Sequence, residues 1–276
     1  MARASNGKAG SKAALRRLLL AGLASAIALP LGVAAPTVEL RARGVLRIAV
    51  EGTYPPFNFK DPKTGQLTGY DIEVANLVAS KLGLRPQFVP TEWTAILPAL
   101  ASGKVDVAIS QVIITPERER AFDFSTPYTY SRFQLIVRKN ERANYRSLAD
   151  FKGRTLGVRQ GSVFEQEARK VKDVEVRSYP AVPENLQDLA FGRIDALLDD
   201  SLMVSYLLNN TQLPIKAGPQ VGAEARIGVA LRKGSPDTRQ AIDRILEAAR
   251  ADGTLRRLSL KWLATDASQP APAAPR

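Results

Sequence analysis

Arg118 stands where a cation needs an explanation. It lies in the run Gly103–Tyr128, GKVDVAISQVIITPERERAFDFSTPY, where an apolar strand over Val105–Ile109 feeds a polar loop at Ser110-Gln111 and a helix opened by Thr115-Pro116-Glu117. Threonine is a good helix cap and proline suits the first helical position. Arg118 therefore falls in the first turn, where the helix macrodipole disfavours a positive charge. The segment reads as an anion site, with guanidinium and backbone N–H groups around one negative group. The competing reading is a solvated arginine paired with Glu117 or Glu119. Glu51, Gln160-Gly161-Ser162 and Asp199-Asp200 also follow directly on apolar runs. Two anions, Glu51 and Asp200, with one cation, Arg118, are the groups that recognise a zwitterion.

These groups need a scaffold that brings strand ends together, and two half-repeats supply one. Gly44–Thr53, GVLRIAVEGT, is echoed by Gly153–Ser162, GRTLGVRQGS, and Gly103–Ile109, GKVDVAI, by Gly192–Leu198, GRIDALL. Between the members of each pair the spacing predicts a helix, a strand and a helix. In the first half these are Ile72–Leu82 with Asp71 as cap and Gly83 as stop, then Pro86–Val89 and Glu92–Ala101; in the second, Val163–Val171, Val174–Tyr179 and Pro183–Phe191. Each half is a βαβαβ unit, which implies an α/β fold with mostly parallel sheets flanked by helices. Ligands of open parallel sheets sit beyond the carboxyl ends of the strands, where the polar groups are.

Composition narrows the chemistry. The chain has no histidine and no cysteine. Ser-His-Asp or Cys-His catalysis, disulfides and His/Cys zinc sites are therefore excluded, and no acidic cluster has calcium-loop spacing, so neither metal nor cofactor is expected. Arg3, Lys8, Lys12, Arg16 and Arg17 precede an apolar run ending at Ala35. Residues 1–35 read as a secretory signal peptide, cleaved to leave a protein free in the periplasm. Its removal lowers the formal charge from +12 to +7. The arginines are scattered rather than clustered with aromatic residues, so nucleic acid is not an expected partner. Residues 266–276, rich in alanine and proline, read as a flexible tail.

The chain resembles the periplasmic solute-binding proteins for polar amino acids that serve ATP-driven importers. The likeness is carried by EGTYPPFNF (Glu51–Phe59), TGQLTGYDIEVANLVASKLG (Thr64–Gly83), the Gly103–Tyr128 run, SLADFKGRTLGVRQGS (Ser147–Ser162), GRIDALLDD (Gly192–Asp200), GVALRKGSPD (Gly228–Asp237) and ADGTLRRLSLKWL (Ala251–Leu263). The resemblance implies a monomer of two lobes that close on a ligand like a hinge and then dock on an inner-membrane permease. Lobe one takes residues 38–130 with 226–265 and lobe two residues 131–225, with crossings near Tyr130–Phe133 and Gly222–Arg226.

By the same resemblance, Arg118 holds the ligand α-carboxylate, helped by the Ile113 and Ser162 N–H groups and the Ser162 hydroxyl. Asp200, with the Ser110 carbonyl, takes the α-ammonium. Tyr54 and Trp93 are aromatic walls, and Glu51 meets the ligand side chain. Ile113 departs from the family pattern, which has a hydroxyl residue there. The loop SQVIIT is closest to the cystine-binding branch, with Glu51, Gln111 and Arg132 available for cystine's distal half. The alternative from another class is an exported enzyme on the same fold, such as a cyclohexadienyl dehydratase, with Glu51 or Glu165 as acid or base.

Overall fold

Two apolar runs that end in polar residues become the central strands of two separate sheets. The structure is a computed structural model that describes residues 38–271; the expected signal peptide and residues 272–276 of the expected tail lie outside the described residues. In chain order the first half comprises α1 (Val38–Arg43), β1 (Val45–Val50), β2 (Thr53–Tyr54), β3 (Asn58–Lys60), β4 (Leu67–Thr68), α2 (Tyr70–Lys81) and β5 (Arg85–Pro90), then α3 (Trp93–Ala101), β6 (Val107–Ala108), α4 (Pro116–Ala121) and β7 (Phe122–Phe124). After β8 (Thr129–Arg138) come β9 (Thr155–Arg159), α5 (Val163–Arg169), β10 (Glu175–Tyr179), α6 (Val182–Ala190), β11 (Ala196–Asp200) and α7 (Ser201–Asn210). The chain returns through β12 (Ile215–Ile227) and β13 (Ala230–Arg232) to α8 (Pro236–Ala251) and α9 (Thr254–Leu263).

The first sheet has the order β5-β1-β6-β13-β7 and the second β10-β9-β11-β8-β12. In each, a βαβαβ unit supplies three parallel strands, as the half-repeats predict. The other two strands of each sheet join through antiparallel pairs, so one strand in each, β13 or β8, runs against the other four and the sheets are mixed but mostly parallel in strand direction. The reason is connectivity: β8 and β12 pair with each other from Thr129↔Ile227 to Arg138↔Ile215, so the chain leaves and re-enters the first half as one antiparallel ribbon. That ribbon shifts register between Val221 and Glu224. Helices α2, α8 and α9 bury an extensive core that includes Val78, Ile242 and Leu255, while α3 packs Ile96 and Leu100 against Ala49, Ala108 and Ala230 on the first sheet.

The turn before α2 positions one wall of the site. Asp71 is not the helix cap; the helix starts at Tyr70, two residues earlier than expected, with Gly69 as N-cap at φ 120°. The Tyr70 and Asp71 N–H groups donate to the Pro56 and Phe57 carbonyls, at 3.0 and 2.7 Å, which ties the loop carrying Tyr54 to the helix start. The Asp71 side chain turns inward and accepts from Asn58, Gln111 and Tyr128. The expected tail also begins with packed chain. Ala267 and Ser268 are buried, and the Ala267 carbonyl accepts from the Tyr130 N–H at 2.8 Å, because a small residue fits against the end of β8.

A Cβ on Gly69 would lie 2.3 Å from the Phe57 carbonyl oxygen, on top of an unfavourable φ. Gly69→Ala is expected to cost about 2–4 kcal/mol, against about 1 kcal/mol for Gly65→Ala in open space. Chemical denaturation of the two variants checks the difference, and equal losses would show that the Phe57 contact relaxes freely.

Candidate functional site

The carboxyl ends of the two central strands face each other across a narrow cavity. It is lined by Tyr54, Trp93, Gln111, Ile113 and Arg118 from the first half and by Arg159, Ser162, Val163, Phe164 and Asp200 from the second. Its volume is about 10 Å³, on the order of one water molecule. A groove of about 510 Å³ lies instead between β8, α7 and the Thr265–Ala271 segment. That groove includes Arg132, which therefore lies away from the cavity that sequence reasoning assigned it to.

Arg118 is buried and has no carboxylate within 4 Å among the described residues, so the pairing with Glu117 or Glu119 is not made. Thr115 caps α4 as expected, accepting from the Arg118 N–H. The helix has only six residues, however, and the guanidinium turns back to donate to the Ile113 carbonyl at 2.9 Å, with Trp93 at 5.6 Å. Burial first, and the charge of Arg159 second, push its pKa down to about 10. Ile113 forms a bridge with Ile227 whose hydrogen bonds use Ile114 N–H and Val112 C=O, so its own N–H takes no part.

Arg159, the last residue of β9, is the group that sequence reasoning missed. Its guanidinium lies 4.3 Å from the Tyr54 ring and 4.4 Å from the Trp93 ring, and donates to Glu51 at 2.5 Å. Burial works against its charge, yet the carboxylate of Glu51 and the neighbouring Tyr54 and Asp199 carry its pKa above the ordinary value. The signal in the sequence was a charge where the half-repeat places Val50, a buried core residue of β1. Tyr54 makes a second link between the halves, donating its hydroxyl to Asp199 at 2.6 Å. Burial, and then the charge of Asp199, push that phenol well above its usual value.

The other expected residues are mostly engaged by protein. Asp200 accepts from the Ser131 hydroxyl and, as the cap of α7, from Leu202 N–H. Burial is the main cause that raises its carboxyl to about 7, with Asp199 adding to it. The Ser162 hydroxyl donates to the Arg159 carbonyl and accepts from Glu165 N–H, capping α5 rather than facing the cavity as a free group. Ser110 accepts from the Glu51 N–H and does not line the cavity. Gln111, in the left-handed region at φ 53°, donates to Asp71, whose carboxyl burial raises to about 6. Gln111 Oε1, Arg159 Nε and Asp199 Oδ2 are buried without a hydrogen-bond partner. Glu165 is held by Gly161 N–H, Arg169 and Ser178, outside the cavity lining. Among the described residues no group of three His, Cys, Asp or Glu is placed to hold a metal, and no helix is long and apolar enough to cross a membrane.

This arrangement offers a buried cation with no carboxylate partner among the described residues, a carboxyl of adjustable charge and two aromatic faces, groups that can bind a small zwitterion. Comparison with known proteins agrees with that chemistry. The L-cystine-binding protein TcyJ of Escherichia coli strain K12 is 39% identical over 232 residues, covering 84% of this chain and 87% of that protein. The crystal structure of an ancestral amino acid-binding protein, described as a precursor of cyclohexadienyl dehydratase, superposes with a TM-score of 0.76 at 34% identity, covering 82% of this chain and 98% of the other. An ancestral arginine-binding protein bound to arginine gives a TM-score of 0.75 at 38% identity, over 80% and 98% of the two chains. The sequence pattern of the bacterial extracellular solute-binding proteins, family 3, matches residues 46–265, and the chain belongs to that family with its two-lobed α/β fold.

Proposed function

We propose that this protein is the exported binding component of an ABC importer, delivering a polar amino acid in the periplasm to an inner-membrane permease. The observation that carries the reading is Arg118, a buried guanidinium at the cavity with no carboxylate to neutralise it. An α-amino acid supplies the missing anion, and its ammonium meets Asp200 across the cavity. The Ile113 N–H remains available to the same carboxylate, so the lost hydroxyl at that position removes one donor and leaves the main-chain one. Tyr54 and Trp93 then face the ligand side chain, with Gln111 and Ser162 shaping the cavity edges, while Glu51, expected to meet that side chain, lies outside the cavity lining and is taken by Arg159. L-cystine, the ligand named for the bacterial relative, is the first to try.

The lobes of this reading are residues 38–130 with 226–265, and 131–225, hinged where β8 and β12 exchange register near Glu224. A monomer acts alone, because one closed shape docks on the permease. The enzymatic alternative has less support: Glu51 is tied to Arg159, and Glu165 lies outside the cavity lining.

The test is a melting-temperature screen of protein refolded from denaturant against the twenty amino acids, cystine and prephenate. A ligand at a hundredfold excess over Kd adds about 2.7 kcal/mol, a rise of roughly 5–10 °C for a chain of this size. Turnover of prephenate in the same samples would replace the binding reading with catalysis. Arg118→Ala is expected to weaken binding by about 2–4 kcal/mol, roughly 30- to 1,000-fold, and unchanged calorimetric affinity would defeat the site.

Asp200 gives a pH signature of two opposite signs. Its carboxyl is held at about 7 and that of Asp71 at about 6, both by burial, so the folded chain retains protons that the unfolded chain releases. The stability contributed by a raised carboxyl pKa is fully present below the unfolded value near 4 and is lost as pH rises through the folded value. These two groups should therefore withdraw about 6 kcal/mol of stability from stripped protein between pH 4 and 8, less in Asp200→Asn. Amino-acid affinity should move the other way, falling up to about tenfold per pH unit below 7 as Asp200 takes up its proton. Thermal melts and calorimetry across that range read both slopes.

A further inference from the structure

Tyr54, Trp93 and Glu51 together form a receptor for a guanidinium group, and the chain fills it with its own residue 159. The evidence for the slot is the fit of its occupant. Two aromatic faces flank the Arg159 carbon at 4.3 and 4.4 Å, and a carboxylate closes the end at 2.5 Å. Planar, weakly hydrated cations are the groups such a slot holds, through the negative faces of the rings and the fork geometry of the carboxylate. The Arg159 and Glu51 side chains are 3% and 6% exposed, so little space remains around the pair.

The two sides of the slot belong to different halves of the molecule. Glu51, Tyr54 and Trp93 are anchored around the first sheet, through the ends of β1 and β2 and the start of α3, whereas Arg159 ends β9 of the second. Separation of the halves would withdraw Arg159 and leave the three receptor groups behind. A ligand carrying a long cationic side chain would then place its cation between the same rings and against the same carboxylate. Closure would have to force a second guanidinium into that space, beside Arg118, whose charge burial and then Arg159 already disfavour. Like charges without added anions are strongly unfavourable in a dry site.

We propose that Arg159 is the specificity-determining residue of this cleft: it occupies the position of a cationic ligand side chain and thereby excludes arginine and its homologues, restricting the site to amino acids whose side chain carries no net positive charge. The inference rests on the amino-acid reading given above. Rejection comes from the competitor's clash with closure rather than from missing contacts, a route that selects against one ligand without improving another.

Calorimetry on refolded protein tests it, with L-arginine, its uncharged isostere L-citrulline and the strongest neutral ligand of the melting screen as probes. The wild-type chain is expected to bind that neutral ligand and to take L-arginine at least tenfold more weakly. Arg159→Ala is expected to gain tenfold or more in affinity for L-arginine, with no such gain for L-citrulline. Adding Glu51→Gln to that variant should abolish the gain, because the carboxylate is then gone. Wild-type protein that binds L-arginine as tightly as the neutral ligand overturns the proposal, and this arm needs no variant to fold. A cooperatively melting Arg159→Ala that gains nothing for L-arginine also overturns it, while leaving the amino-acid reading intact. Wild-type protein that binds no amino acid at all sinks that reading and this one together.

Discussion

A guanidinium buried between two halves of a protein is stable only if each of its faces is answered. Arg159 meets that condition with Glu51 at its tip and the Tyr54 and Trp93 rings on either side, all of them supplied by the opposite half. Removing a cation of this kind from water costs several kcal/mol, so none of the four groups is indifferent to the others. The narrowness of the cavity follows from the same contacts. Gly161, the next but one residue along, has φ 70° and stands so close to α3 that a Cβ there would lie 3.2 Å from Thr94. A glycine at that point lets the Arg159 backbone come near enough for its side chain to reach Glu51.

Behind this contact lies a second set of polar groups, of which only Gln111 borders the cavity. Asp71 is fully buried, and three neutral donors, Asn58, Gln111 and Tyr128, surround its carboxyl. Asn58 in turn accepts from Gly52 N–H at 2.8 Å, which fixes the loop between Glu51 and Phe57. Such a network is costly if half-satisfied and stiffening if complete. Here it sets the wall from which Glu51 and Tyr54 project. On the other side, Asp199 and Asp200 divide the work: Asp199 joins the halves through the Tyr54 hydroxyl, and Asp200 caps α7 while bordering the cavity.

The strand ends were legible because apolar runs followed by Gly and a hydroxyl have few other meanings, and the half-repeats placed them twice. Tyr54, Trp93, Gln111, Ile113, Arg118, Ser162 and Asp200 all border one cavity, so the convergence of these residues could be read from one chain. The parts that escaped were set by long-range contacts. Asp71 looks like a helix cap, since a polar residue precedes an apolar stripe, and only the loop at Phe57 decides that it points inward. The antiparallel ribbon of β8 and β12 joins residues far apart in the sequence and leaves no local trace. Arg159 was hidden by the repeat itself, which aligns it with Val50 and invites a core reading. Its partner, Glu51, lies 108 positions away.

Cross-half contacts of this kind constrain binding from both directions. They favour the closed shape before any ligand contributes, which reduces what a ligand must supply to hold the halves together. They also tax entry, because apparent affinity is lowered by the fraction of molecules in which the cleft is open. An importer component needs the ligand to shift that balance clearly, so the contacts made by the chain alone have to stay weaker than those the ligand adds. The charges fit such a limit. Arg159 and Glu51 neutralise each other and are indifferent to an incoming zwitterion, whereas Arg118 has no anionic partner of its own. The strongest unmet interaction in the cleft is therefore the Arg118 guanidinium, the one group there that an incoming anion would neutralise.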